Sequence, residues 1–210
     1  FKSRKIEVSP ELWLGTRDRS WGIRPVGLPD AQPNPQAPDI NQFYWLWAPI
    51  NWPDGVSLYH LNDDADGKPW NTAGMFIPLI GEARPMRRVS SEIEFISGTR
   101  HAKSALITLQ GFDGSVAEIR MRPRFHWYMK GVGYGHSNFG HGHYHGGDAQ
   151  LFEEYALADV DDALNLHIQA ICDVTMEGDL GRHSGRGVLE QLILGPHAPS
   201  GFTDLLDMAP

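Results

Sequence analysis

One segment near the start of the chain places a carboxylate among arginines. Asp18 stands between Arg17 and Arg19, and Arg24 follows shortly after. Opposite charges this close keep a carboxylate ionised, and the arginines suit an anionic group on a ligand. Asp18 is therefore a candidate catalytic residue, and Arg17 and Arg24 are candidate ligand contacts. The alternative is a loop in which Asp18 caps backbone amides.

A second candidate acid lies on a predicted strand near the end of the chain. Glu190 alternates with Val188, Leu192 and Leu194, so these side chains share one face of the strand. An apolar wall disfavours the charged carboxylate and favours the protonated form, which makes Glu190 a candidate proton donor. The alternative is a buried glutamate paired with an arginine.

The segment 135–147 is rich in glycine and histidine. If it is extended, His141, His143 and His145 point the same way, and neighbours two apart are about 6.6 Å from one another. Two of them could hold one metal ion only with a further ligand, such as His136, Asp148 or Glu153. We favour a glycine-rich hairpin with histidines at a pocket mouth, with His141 as a ligand contact. No metal and no cofactor are therefore predicted.

An aromatic run marks the first strong strand. Tyr44, Trp45 and Trp47 fall on both parities, so both faces of that strand need cover, from a core on one side and a lumen, sheet or ligand on the other. With Trp21 they are candidate ring walls of a pocket, and plain core packing is the alternative. The single Cys172 lies on an apolar strand face and is predicted to be packed, not nucleophilic.

Alternating runs and turn residues indicate an antiparallel all-β protein. Between the short run 11–15 and the final run 187–194, the predicted strands cover 41–50, 56–62, 72–80, 91–96, 102–110, 116–130 and 168–176. A helical turn over 159–164 and a terminal helix over 202–208 complete the prediction. In the run 116–130 the even residues, His126 among them, are expected to face water and the odd residues the core, with a bulge or a sheet edge at Pro123.

The proline-rich stretch 25–39 divides the chain. It predicts a connecting loop between residues 1–24, the end of a first barrel or sheet, and residues 40–210, a second β-barrel. Because the chain starts at Phe1, we expect that an N-terminal domain can precede it. The many short strands separated by turns favour a sandwich or a barrel.

The composition of the chain limits the classes of binding partner that we expect. A formal net charge of −8 argues against nucleic acid, and no run is long and apolar enough for a transmembrane segment. A single cysteine is compatible with a reducing compartment, so we expect a cytoplasmic protein.

Three segments resemble one known family. The run Arg17-Asp18-Arg19-Ser20-Trp21-Gly22 looks like a junction signature of the attH-like, carotenoid-hydratase-like branch of the lipocalin-related proteins, with bacterial members. Residues 187–191 followed by 195–197 look like its closing strand, and 135–147 like its Gly-His-Gly segment. Arg19 stands where a histidine is common in that signature, which is a departure from the pattern.

The resemblance implies an antiparallel lipocalin-like, calycin-related β-barrel that is the second of two packed barrels. It also implies that the barrel binds an apolar, terpenoid- or lipid-like small molecule and hydrates or isomerises it by protonating a double bond. Asp18 and Glu190 are then the candidate acids. One alternative is a non-catalytic carrier of a lipid, pigment or steroid. Another is a metal-dependent enzyme that uses the segment 136–145.

Overall fold

The computed structural model describes residues 3–19, 41–129, 150–160 and 165–210. Within them the chain is an antiparallel barrel with no α-helix, so the predicted all-β fold is confirmed. The strands are β1 (Phe43–Trp52), β2 (Gly55–Asp63), β3 (Pro69–Pro78), β4 (Arg84–Phe95), β5 (Ala102–Gly111), β6 (Val116–Tyr128), β7 (His167–Gly178) and β8 (His183–Leu194). Short 3₁₀ turns cover Leu157–Asp159 and Ala198–Ser200.

The eight strands follow one another around the barrel in chain order, and β1 pairs with β8 to close it. This up-and-down connectivity is the one that lipocalin-like barrels use. Closure requires a close approach at the seam between β1 and β8. A Cβ on Gly185 would lie 2.2 Å from the carbonyl oxygen of Asn51, and one on Gly187 would lie 2.8 Å from Ile50 Cγ1. Glycine at these two positions lets the seam form.

Strand alternation fills the interior. In β1 the residues Tyr44, Leu46, Ala48 and Ile50 point inward, and all four are buried. Ile107, Ile119 and Leu189 do the same from β5, β6 and β8. Burying a side chain of this size contributes about 1.5–3 kcal/mol. The interior is therefore a packed core.

A bulge inverts the second half of β6. The register shifts between Pro123 and Phe125, so Met121 faces the core with Val174 but His126, not Phe125, faces the core with Ala170. The His126 ring stacks on His101 at 5.8 Å, and its Nε2 lies 2.8 Å from the Ala102 carbonyl oxygen. The expectation that His126 faces water was wrong, because an extra residue in a bulged strand reverses all that follows. The bulge itself, predicted from Pro123, is confirmed.

The C-terminal residues close one end of the barrel. Arg100 is fully buried and donates to the carbonyl oxygens of Asp207, Gly195 and Asp204 at 2.6, 2.9 and 2.8 Å. Its guanidinium also pairs with the Asp207 carboxylate and lies over the Phe202 ring, 4.2 Å from the centroid. Burial lowers the pKa of Arg100, and Asp207 opposes that shift. Arg100 thus ties residues 195–207 to the turn between β4 and β5.

Two predicted elements are absent. Residues 11–15 form no strand, and residues 202–208 form bends in place of a helix. The second segment fails because its backbone groups bond to the barrel: Leu205 accepts from Gly195 N, and Asp204 and Asp207 accept from Arg100. The helical turn predicted over 159–164 falls largely outside the described residues.

Residues 3–19 form no β-strand, so these described residues contribute no strand to the first barrel or sheet that was predicted for residues 1–24. The division at 25–39 lies outside the described residues and stays a prediction, as does a preceding domain. No helix in the described ranges is long and apolar enough to cross a bilayer.

Candidate functional site

The outer face of β7 and β8 carries two ionisable side chains that are buried. Glu190 is 7% exposed and His167 is 9% exposed, although both point away from the core residues Leu189 and Ile168. Outward positions on a barrel normally carry solvated side chains, as Asp173 and Arg186 do further along the same strands. The buried pair therefore marks this sector of the surface as unusual.

The Glu190 carboxylate is held by two side-chain donors. Oε1 lies 2.8 Å from His167 Nε2, and Oε2 accepts a hydrogen bond of 2.7 Å from Gln169 Nε2. Gln169 is the direct cross-strand partner of Glu190, and His167 is its diagonal neighbour. The 2.8 Å distance places His167 Nε2 and Glu190 Oε1 in one hydrogen bond, with both side chains buried.

Trp45 forms one wall beside this pair. Its ring meets His167 edge-on at 6.0 Å and His60 edge-on at 6.2 Å, and its Nε1 donates to His60 Nδ1 at 3.3 Å. Burial lowers the pKa of His60, and the hydrogen bond with Asn62 opposes this. An acceptor Nδ1 requires the neutral ring with its proton on Nε2. Trp45 is thus fixed between two histidines.

The polar network continues onto β2 and β3. His60 Nε2 lies 3.1 Å from Asn62 Oδ1, and Asn71 Nδ2 donates to the same oxygen at 3.2 Å. Asn62 is buried and donates in turn to the Tyr44 carbonyl oxygen at 3.2 Å. These bonds fix the side chains next to Trp45, so the wall is preorganised without a ligand.

Aromatic side chains surround the pair on its other sides. Trp47 is the cross-strand partner of both Glu190 and His60, and Trp127 is the partner of Gln169. Trp127 is 57% exposed, and Phe125 next along the outer face of β6 is 48% exposed. The bulge in β6 is what turns these two rings outward. A strip of rings thus runs along the outer face beside the carboxylate.

Three of the predicted site residues come together here. Glu190, Trp45 and Trp47 share the outer face, and the predicted apolar surroundings of Glu190 hold, since Val188 beside it is buried. The alternative predicted from the sequence was a buried Glu190 paired with an arginine. In the structure Glu190 is paired with a histidine.

The remaining predicted residues lie elsewhere. Tyr44 points into the barrel, where its ring stacks on His197 at 3.8 Å and burial raises its pKa. Arg17 and Asp18 are exposed, and Asp18 makes no hydrogen bond with Glu190. Trp21, Arg24, His141, His143 and His145 lie outside the described residues, so their roles stay predictions.

Sequence reasoning missed His167 and Gln169, although a signal was present. Ile168, Ala170 and Cys172 alternate as core residues, which puts His167 and Gln169 on the opposite face. The glycines at 178 and 181 centre a hairpin turn whose register sets Gln169 opposite Glu190. Applying both signals together predicts the contact.

A second arrangement of serine, histidine and carboxylate closes the barrel end. His197 Nδ1 lies 2.7 Å from Ser200 Oγ, and its Nε2 lies 3.4 Å from Asp63 Oδ2. A nucleophilic serine needs nearby amides to stabilise an oxyanion. The backbone amides of Ser200, Gly201 and Phe202 already donate to carbonyl oxygens of His197 and Ala198. This cluster therefore fastens the chain and is not a hydrolytic site.

Two other candidate chemistries lack support. Burial raises the pKa of the Cys172 thiol to about 12, so the thiol stays protonated, as expected for a packed side chain. Among the described residues no three histidine, cysteine or acidic side chains are placed to hold a metal ion. A groove of about 610 Å³ over β4 to β7 is lined by residues such as Glu92, Arg120 and Thr175, and it does not include Glu190 or Trp45.

The fold and this site define a closed eight-stranded antiparallel barrel with a buried glutamate–histidine pair on its outer face. A family model matches residues 1–203, and the chain belongs to that family, DUF8625, described as a family of unknown function. No curated protein and no solved structure matches the chain. The family assignment names no activity, so the resemblance to attH-like proteins stays a prediction.

Proposed function

We propose that the chain binds an apolar, terpenoid- or lipid-like small molecule along the ring strip beside Glu190. The observation that carries the proposal is the buried Glu190–His167 pair among Trp45, Trp47 and Trp127. Burying such a pair costs several kcal/mol that apolar packing would avoid. A buried, hydrogen-bonded pair of ionisable side chains on an outer face is therefore a candidate functional site.

The same pair supplies acid–base chemistry. In a hydration, the proton held between His167 and Glu190 passes to one carbon of an alkene, and water adds to the other carbon. The proton lost from that water returns to the pair, so the pair is regenerated. Neighbouring indole faces stabilise the intermediate cation through their ring quadrupoles. In an isomerisation the cation loses a different proton to the same pair.

Binding is tested with Nile red, a neutral apolar dye, and with Trp47→Ala. Trp47→Ala should weaken dye binding about tenfold, since a buried ring contact contributes about 1–2 kcal/mol. Trp70→Ala is the matched control, because Trp70 is an exposed tryptophan on β3 outside this strip. Equal binding by both variants contradicts the assignment of the strip. Native mass spectrometry with solvent extraction then identifies any molecule that co-purifies.

Catalysis is tested by incubating geraniol or farnesol with the protein in deuterium oxide. Protonation of a double bond leaves deuterium in recovered substrate or product, which gas chromatography with mass spectrometry detects. Glu190→Gln should abolish incorporation and leave Nile red affinity nearly unchanged, because the amide keeps the shape but carries no exchangeable acid. An active Glu190→Gln variant removes the role of Glu190. Binding without incorporation for any tested terpenoid favours the carrier function.

A further inference from the structure

A cluster of arginines lies along the outer face from the Glu190 pair. Arg124 Nε and Arg186 Nε lie 3.6 and 3.8 Å from the two oxygens of Asp173, and Arg122 is the cross-strand partner of Asp173. The Arg124, Arg186 and Asp173 side chains are all more than half exposed. Two of these arginines thus pair with one carboxylate and Arg122 lies opposite it, in a chain whose net charge is −8. The groove that Arg122 and Asp173 line also contains Glu92 and Glu94, of which Glu94 pairs with Lys103. Around Asp173 itself the arginines outnumber the carboxylate, which leaves local positive charge for an anion.

The bulge in β6 builds this cluster. It inserts Arg124 between Pro123 and Phe125, and so places two arginines of β6 beside one aspartate of β7. Bulges commonly re-aim side chains in this way near functional sites. The same bulge turns Phe125 and Trp127 outward. One local feature therefore produces both the charged cluster and the rings next to it.

An apolar row separates the arginines from the Glu190 pair. Phe125, Ile171 and Val188 are successive cross-strand neighbours on β6, β7 and β8. Phe125 and Ile171 are 48% and 37% exposed. Along β8, Arg186 lies on one side of this row and Glu190 lies on the other. A molecule that crosses the row between these two residues removes its apolar surface from water.

We propose, resting on the proposed function, that the ligand is a free anionic amphiphile. Its carboxylate, sulfate or phosphate binds Arg122, Arg124 and Arg186, and its apolar chain lies over Phe125 and Ile171. Arg186 and Glu190 are four positions apart on β8, about 13 Å along the strand, the length of about ten extended carbons. The far end of such a chain reaches the Glu190–His167 pair.

The charges favour a free molecule over a membrane surface. Three arginines around one aspartate suit a single head group, whereas an anionic bilayer repels a protein whose net charge is −8. The buried polar pair lies on the far side of the apolar row from the arginines, which suits a chain of limited length.

The experiment compares decanoate with 1-decanol, both below their aggregation limits, as competitors of Nile red on the intact chain. The triple variant Arg122→Gln/Arg124→Gln/Arg186→Gln should weaken decanoate about tenfold or more and leave decanol unchanged, since only charge-assisted bonds are removed. Asp173→Asn should strengthen decanoate binding a few-fold. Arg182→Gln, an exposed arginine paired with Glu177, is the charge-matched control and should change neither. Raising the salt concentration should weaken decanoate alone.

The outcomes separate this proposal from the one it rests on. Equal competition by decanoate and decanol in every variant overturns the anionic head group and leaves apolar binding in place. Failure of both competitors and of Nile red overturns both proposals. Binding to phosphatidylglycerol vesicles without decanoate binding overturns the free ligand in favour of a bilayer. Self-association that the triple variant abolishes, again without decanoate binding, overturns it in favour of a second copy.

Discussion

One end of the barrel and its outer face each bury a charged cluster, and the two clusters differ in what surrounds them. At the barrel end, Arg100 bonds to three backbone carbonyl oxygens and to Asp207. On the outer face, the hydrogen bonds of the Glu190 carboxylate among the described residues come from the side chains of His167 and Gln169. A charge tied to backbone fixes one path of the chain, whereas a charge tied to side chains fixes only those side chains.

The difference has energetic consequences. Removal of Arg100 would take the donor from the buried Gly195 carbonyl oxygen and from the part-buried carbonyl oxygens of Asp204 and Asp207, and a buried acceptor left unsatisfied costs more than its hydrogen bond contributed. The outer pair could be replaced on both sides by apolar residues that leave no orphaned charge. We therefore interpret the barrel-end cluster as a fold determinant and propose that the outer one is retained for its chemistry.

Arg100→Met carries the largest expected effect. The methionine keeps much of the side-chain volume but removes the donor from three carbonyl groups and the cation from Asp207, whose Oδ2 still accepts from Thr203 N. The free energy of unfolding should therefore fall by about 3–5 kcal/mol. Urea denaturation followed by tryptophan fluorescence measures the loss. Arg182→Met, at an exposed arginine, should cost about 0.5 kcal/mol or less. Similar losses in the two variants contradict a structural role for Arg100.

The double variant Glu190→Leu/His167→Leu should behave in the opposite way. Glu190→Leu alone removes the carboxylate from the buried His167 and should cost about 3 kcal/mol, but the double variant should come within about 1 kcal/mol of the native protein or exceed it. Its deuterium incorporation should be lost. A double variant as unstable as the single one makes the outer pair a second fold determinant, and the comparison fails.

His60→Gln tests the wall of the outer site and has the smallest expected effect. Burial lowers the pKa of His60 below 6.5, so the folded state binds this proton later than the unfolded state as pH falls. Stability from neutral His60 is present above pH 6.5 and is lost progressively below it. His60→Gln should therefore lose less stability than the native protein between about pH 7.5 and 5.5. Identical losses in denaturation experiments exclude His60 as a contributor.

The hairpins were predictable from sequence because their signals are local. The alternation in 41–62 and the turn at Asp54-Gly55 set β1 and β2 close to their observed limits. The start of β4 at Arg84 was not predicted. Arg84, Arg87 and Arg88 are charged on both parities, so the alternation of apolar and polar residues is not visible there. Closure of β1 on β8 depends on residues far apart in sequence, so no local pattern predicts it.

The site was predicted in part for the same reason. Glu190, Trp45 and Trp47 are conspicuous by type within their own strands. His167 can be recognised as a site residue only from the cross-strand register between β7 and β8. At Arg124 the inward and outward faces of β6 are exchanged, which turns Trp127 outward. This exchange depends on one extra residue, which a strict period of two does not predict.

The closing seam also sets the order in which the protein can be completed during synthesis. β1 is made early, but its second edge stays open until β8 emerges. Trp45 and Trp47 remain on an unpaired edge throughout that interval, and such edges invite pairing with other chains. The proposed binding surface is therefore complete only once the last strand is in place, because Glu190 lies on β8 and is the cross-strand partner of Trp47.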